Sequence, residues 1–316
     1  MPCPRAAACV IESRARRRQG EDFALNDAPE SLKHGVVETL RPGLRRLIAP
    51  NASAFTYTGT CSYIVGDGEV AILDPGPDDD SHLQRLLAAT AGERVAYIVV
   101  THTHRDHSAL TGRLAAATGA RIVGARPHVP RPGAPQGLDA AHDLAYAPAR
   151  VLADGETLEF GDHALTALAT PGHAANHLCF LWGDSLFSGD HVMAWSTSVV
   201  APPDGAMGDY MASLEKLRER EETIYWPGHG GPVSDPKRYV RALITHRRQR
   251  ETAILARLET GATTIAEIVE KNYVGLEPRL KGAAALSTLA HLEDLLARGL
   301  ARRGEGAPLE AVYERG

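Results

Sequence analysis

At 316 residues the chain is longer than one compact domain usually runs, and with 44% hydrophobic and 23% charged residues it can bury a full core, so a large unit plus a smaller one is expected. A net charge of -5 excludes nucleic-acid binding by bulk electrostatics and leaves room only for a local basic patch. No apolar run approaches the roughly 20 residues that cross a bilayer, which excludes a membrane-spanning reading.

In chain order, residues 1–35 read as a flexible tail. Arg5, Arg14, Arg16, Arg17 and Arg18 lie among alanines there, as in a targeting segment, but Glu12 argues against one; a cytoplasmic location is expected, with organellar import left open. The cysteines, Cys3, Cys9, Cys61 and Cys179, are scattered without zinc-knuckle spacing and fit a reducing compartment. Two short apolar runs, 62–65 and 70–73, flank Gly66-Asp67-Gly68 and predict a hairpin. Asp74-Pro75-Gly76 closes it, a helix follows over 82–89, and 95–100 has the length of a buried strand. A helix over 109–118 is stopped by Gly119, and a strand is expected at 121–124. The proline-rich stretch 127–148 predicts a long loop or lid that shapes a substrate pocket.

Strands are predicted at 157–160, 164–170, 178–181 and 185–188. Asp235-Pro236 then caps and opens a long helix to about residue 257, and a domain boundary is placed there, giving a catalytic domain over 36–235 and a second domain over 236–316. Helices at 264–273, with Thr264 and Glu267 forming a capping box, and at 283–298, stopped by Gly299, complete the chain.

The chemistry concentrates in Thr101-His102-Thr103-His104-Arg105-Asp106-His107, between a buried strand and a helix. In an extended segment alternate side chains point the same way, so His102 and His104 can serve one metal, while the turn that follows can aim Asp106 and His107 at a second. Imidazole with carboxylate suits zinc and its first-row neighbours better than calcium or magnesium. Pro171-Gly172-His173, Ser188-Gly189-Asp190 and Pro227-Gly228-His229 each set a ligand beside a glycine that lets the backbone turn sharply. Any one of these would be an ordinary turn; together they point to a cluster. The remaining histidines read as surface or packing residues, with a supporting role open for His177 and His191.

With these residues in this order the chain resembles the metallo-β-lactamase fold hydrolases, whose His-x-His-x-Asp-His signature is met by residues 102–107. The resemblance implies an α/β fold of the αββα sandwich type, with His102, His104 and His173 on one metal, Asp106, His107 and His229 on the other, and Asp190 bridging. It implies two zinc ions, with iron or manganese open, and a supporting role for Asp74 in orienting the ligand loop. A bridging Asp190 argues against antibiotic hydrolysis, and the short span from Asp190 to His229 argues against nucleases with an inserted domain. No phosphate-cradling loop follows residue 235, which argues against flavodiiron-type proteins.

Within that superfamily the chain is most similar to the β-lactamase-like protein 2 subgroup and the hydroxyacylglutathione hydrolase-like branch. The likeness rests on Thr58-Gly59-Thr60, on Pro203-Asp204-Gly205 ahead of Tyr210-Met211-Ala212-Ser213-Leu214, and on His291-Leu292 with Arg298-Gly299. That subgroup carries a winged-helix-like domain at its C terminus. Cys61 stands where relatives often have Asn.

The expected function is a binuclear metal-dependent hydrolase that turns a metal-bridging hydroxide on a small ester or thioester, with Asp106 and Asp190 as catalytic carboxylates. One alternative is an endoribonuclease acting on single-stranded RNA, which would need a basic track formed by Arg105, Lys281 and arginines of the terminal domain. The other is a metal-bound sensor that binds nucleic acid through the terminal domain. A homodimer is left open.

Overall fold

The computed structural model describes residues 32–129, 141–276 and 278–316, so Cys3, Cys9, most of the expected tail and the middle of the 127–148 loop lie outside the described residues. Strands β1 (Glu38–Arg41), β2 (Leu44–Ile48), β3 (Cys61–Asp67), β4 (Glu69–Leu73), β5 (Arg94–Val100), β6 (Arg121–Gly124) and β7 (Arg150–Val151) form one sheet in that order. It is antiparallel up to β4 and parallel from β4 onward. A second sheet contains β8 (Thr157–Phe160), β9 (His163–Ala169), β10 (Leu178–Trp182), β11 (Ser185–Gly189) and β12 (Ile224–Pro227), with only β11 and β12 parallel.

Period-two alternation decides which side chains go where. In β3, Cys61, Tyr63 and Val65 enter the core between the sheets, whereas Ile64 faces the opposite way. That central core joins Leu73, Val99 and Val123 of the first sheet to Leu165, Phe180 and Phe187 of the second. The outer face of the first sheet, including Ile72 and Ile98, is covered by Leu83 and Leu86 of α1 (Asp80–Ala89) and, beyond the short α2 (Arg105–Ser108), by Leu114 of α3 (Thr111–Thr118). The outer face of the second sheet, including Leu186 and Tyr225, is covered by Leu214 of α4 (Met207–Arg218) and by Val240 and Leu243 of α5 (Pro236–Glu259). Each such side chain contributes about 1.5–3 kcal/mol on burial. Helices outside and sheets inside give the expected αββα order.

The C-terminal unit packs α6 (Ile265–Asn272) and α7 (Lys281–Ala297) against β13 (Thr263–Thr264), β14 (Ala301–Arg303) and β15 (Val312–Arg315), whose order is β13-β15-β14. The Thr264 and Glu267 capping box starts α6 as the sequence predicts. Asp235 caps α5 through the Arg238 amide, with Pro236 in the first turn. Yet α5 is shared between the two units. Its first half packs on the second sheet through Tyr239, Val240, Leu243 and Ile244, and its end enters the terminal core through Ile254 and Leu258.

The hairpin, the predicted helices and all of the strands between 95 and 188 named from the sequence are found within a few residues of their expected places. Strands β1, β2, β7 and β12, helix α4 and the three short terminal strands were not among the predicted elements. These are short or mixed in character: β12 has four residues, and α4 has polar groups through its interior. Among the described residues no helix is long and apolar enough to cross a membrane.

Candidate metal centre

Five segments that follow the carboxyl ends of strands meet at one edge of the sandwich. β4 delivers Asp74, β5 delivers residues 102–107, β9 leads to His173, β11 to Asp190 and β12 to His229. All seven residues expected as ligands are brought together. His102, His104 and His173 offer donor atoms within 4.8 Å of one another, and so do Asp106, His107 and His229. Asp190 reaches both groups: its Oδ2 is 3.7 Å from His173 Nε2 and 3.3 Å from His229 Nε2, and its Oδ1 is 3.4 Å from His107 Nε2.

Hydrogen bonds fix the tautomer of four of the five rings. His107 Nδ1 donates to Asp74 Oδ2 at 3.0 Å, so Nε2 is the nitrogen that faces the cluster. Thr101 Oγ1 donates to Asp74 Oδ2 at 2.8 Å and therefore accepts from His102 Nδ1 at 3.0 Å, which leaves His102 Nε2 free. His173 Nδ1 donates to the Val199 carbonyl at 2.6 Å, and His229 Nδ1 donates to the Gly59 carbonyl at 3.3 Å. The cluster-facing nitrogens then converge: His102 Nε2 and His173 Nε2 lie 3.0 and 3.1 Å from His104 Nδ1, and His107 Nε2 lies 3.3 Å from His229 Nε2.

Two nitrogens bonded to a tetrahedral ion at about 2.0–2.1 Å stand about 3.3–3.4 Å apart, close to the spacings found. The donor set and its oriented rings therefore fit a first-row metal, and the buried Asp190 Oδ1, which has no hydrogen-bond partner, is an acceptor of the same kind. The centre can hold metal.

Electrostatics divides the cluster. Burial, then the neighbouring imidazoles, hold His102 well below the ordinary histidine range and His104 at about 3, so both stay neutral and competent to coordinate. Burial opposes charge on His107 and His229 too, but Asp106 and Asp190 outweigh it, raising His107 well above its ordinary value and His229 to about 9. On that side carboxylates collect positive charge, which a cation would supply in place of the protons. Asp106, His104 and His173 are partly exposed while His102, His107 and His229 are sealed, so access is from the former edge.

Two supporting features escaped the sequence reading. Thr60, expected only as part of a motif, accepts from Asn51 Nδ2 at 3.0 Å and directs its hydroxyl at Asp106 Oδ2, 3.4 Å away. Beside His104, His142 stacks on His128 with ring centroids 3.7 Å apart, and the two rings face Asp204 at 3.3 and 3.5 Å. Asp204 also accepts the Ala175 amide, so it ties the 127–148 loop to the turn that carries His173. The Pro203-Asp204-Gly205 motif was the available signal, but nothing local tells which histidines it meets. Of the other histidines, His177 is a buried support: its Nε2 accepts the Asp190 amide at 3.2 Å.

Residues 55–229 match the family described as the metallo-beta-lactamase superfamily, and residues 264–307 match the beta-lactamase associated winged helix domain. A beta-lactamase-like protein 2 homolog of Caenorhabditis elegans is 31% identical over 232 residues, covering 69% of this chain and 72% of its own length. An atrochrysone carboxyl ACP thioesterase of Aspergillus fumigatus is 27% identical over 267 residues, 78% of this chain and 76% of its own. Among solved structures, a metallo-beta-lactamase family protein from Thermus thermophilus is similar with a TM-score of 0.71 at 27% identity, covering 88% of this chain and 100% of that one.

Proposed function

Because the chain belongs to the metallo-beta-lactamase superfamily and is a hydrolase of that superfamily, we propose that it hydrolyses a small thioester or ester at a binuclear metal centre held by His102, His104, His173, Asp106, His107, His229 and a bridging Asp190. The observation that carries this reading is the reach of the single Asp190 carboxylate to nitrogens of both donor groups. A pair of first-row ions, zinc by donor chemistry, would supply Lewis acidity toward the acyl oxygen and a water whose pKa is lowered toward neutrality.

The chain's own groups do the rest. Asp106 stays a carboxylate, since His107 and His229 outweigh the cost of its burial, and it sits at the partly exposed edge where it can orient the attacking water and accept its hydrogen bond. Asp74 and Thr101 hold the His107 and His102 tautomers while charge moves. In the overall reaction the water oxygen bonds to the acyl carbon, the C–S bond breaks, and one water proton ends on the departing thiol. The thioester choice draws support from the relative named as an ACP thioesterase.

Single-stranded RNA cleavage is the weaker reading. Among the terminal arginines that would build a basic track, Arg298 pairs with Glu251 and Arg302 with Glu314, while Arg248 of α5 pairs with Glu215. The test is an ester, thioester and RNA panel on protein of measured metal content. Thioester turnover that disappears on chelation, returns with metal and is absent in His104→Ala is expected; undiminished turnover after complete metal removal overturns the reading.

A further inference from the structure

Behind the metal centre, where α5 and α7 meet the segment after Asp190, lies a buried group of polar side chains that the hydrolytic reading does not use. Arg247 is 4% exposed and, among the described residues, no carboxylate lies within ion-pair distance of it. Its guanidinium donates to the Ser198 carbonyl and to Ser287 Oγ at 3.4 Å, and it lies over the Tyr210 ring at 5.2 Å, but its Nε has no partner. A buried cation without a counter-charge costs several kcal/mol.

The surroundings repeat the pattern. His191, whose ring lies 4.6 Å from that of Tyr210, has neither ring nitrogen partnered, and the same holds for His291 of α7. Thr288 Oγ1, one residue from the Ser287 that Arg247 contacts, is unpartnered as well. His191, His291 and Thr288 are all at most 2% exposed. Burial, then the charge of Arg247, depresses the His291 pKa to about 3, so that ring is neutral and keeps one N–H to donate. Unpartnered hydrogen-bonding groups thus surround an unbalanced positive charge in a place sealed from bulk water.

We propose that Arg247, His291, Thr288 and His191 form a binding site for a small monovalent anion of halide size, which neutralises Arg247 and takes the unpartnered donors. The burial of all four side chains favours a small ion, and the missing carboxylate sets its sign. The site joins the terminal domain to the 190–200 segment, where Ser198 Oγ donates to the His191 carbonyl and the Val199 carbonyl holds His173 Nδ1. The anion therefore fastens α5 and α7 to the segment that orients one of the candidate ligands.

Two readouts test this without any substrate, so its failure is separable from failure of the hydrolytic reading. Thermal melting of the full chain in sodium chloride against sodium gluconate at equal ionic strength should give a midpoint about 3 °C higher in chloride, and Arg247→Met should remove that difference. Crystals grown in sodium bromide should show an anomalous peak within hydrogen-bond reach of Arg247 Nε. Equal melting of the wild-type protein in both salts, a salt difference that persists in Arg247→Met, or water alone beside Arg247 in bromide crystals would each overturn the proposal. If Arg247→Met fails to fold, the wild-type melting and the bromide crystal still decide.

Discussion

Asp74 Oδ2 lies 3.0 Å from His107 Nδ1, and the same carboxylate takes the Thr101 amide and hydroxyl, both at 2.8 Å. One buried side chain at the end of β4 therefore sets two candidate ligand rings, His107 directly and His102 through Thr101. Asp74 itself adopts a left-handed backbone at φ 47°, a conformation that costs energy for a residue with a side chain and here aims the carboxylate across to the next strand. Asp74→Ala should leave all seven candidate ligands in the chain and yet weaken metal binding by about 10–100-fold. Competition with a chromophoric chelator measures this directly; unchanged affinity would remove Asp74 from the centre.

Gly228 tests how tightly the cluster is packed. A Cβ built there would stand 2.4 Å from Asp190 Oδ1 and 2.6 Å from His107 Cε1, so even alanine displaces the carboxylate that reaches both donor groups. Gly228→Ala is expected to bind less than one metal pair per chain while retaining its far-ultraviolet circular dichroism. Full occupancy by elemental analysis would contradict that picture.

The candidate ligands were legible because coordination demands particular residue types, and the turns after β5, β9, β11 and β12 carry them in short, local motifs. Asp74 was legible only through the family resemblance, since Asp74-Pro75-Gly76 by itself reads as an ordinary turn. What the sequence hid is the set of partners fixed only by packing. His142 and Asp204 are far apart in the chain yet meet in the fold, and Arg46, at 3% exposure, crosses to the Gly230 carbonyl next to His229. The domain boundary at 236 was drawn from a genuine helix start, but a cap says where a helix begins and not which core it joins; α5 joins both.

Removing metal should lower stability as well as activity. A ligand that binds the folded state alone stabilises it by mass action, and the clustered imidazole and carboxylate groups of this centre are distributed over separate segments of the chain. Exhaustive dialysis against chelator is expected to drop the melting midpoint by at least several degrees, with recovery on zinc addition, and His104→Ala should show a smaller response to zinc than the wild type. Identical melting before and after verified metal removal would contradict a centre that ties those segments together.

Acid sensitivity offers a test away from the cluster. His82 of α1 is fully buried, and its Nε2 donates to Ser62 Oγ at 2.9 Å, because that hydroxyl already donates to the Asp74 carbonyl. Burial lowers its pKa from 6.5 to about 4, the Asp79 charge opposing only in part. Between those values the unfolded chain binds a proton that the folded chain refuses, so the contribution is complete above about pH 6.5 and is lost as pH falls toward 4. Integrated over that window it amounts to at most about 3 kcal/mol. Urea unfolding of the wild type and of His82→Gln, whose amide can donate to Ser62, should therefore converge as pH is lowered from about 7 to about 4.5. Parallel losses of stability in the two proteins would mean that the His82 ring takes up its proton without cost, and that the packing of α1 over Asp74 is looser than its burial implies.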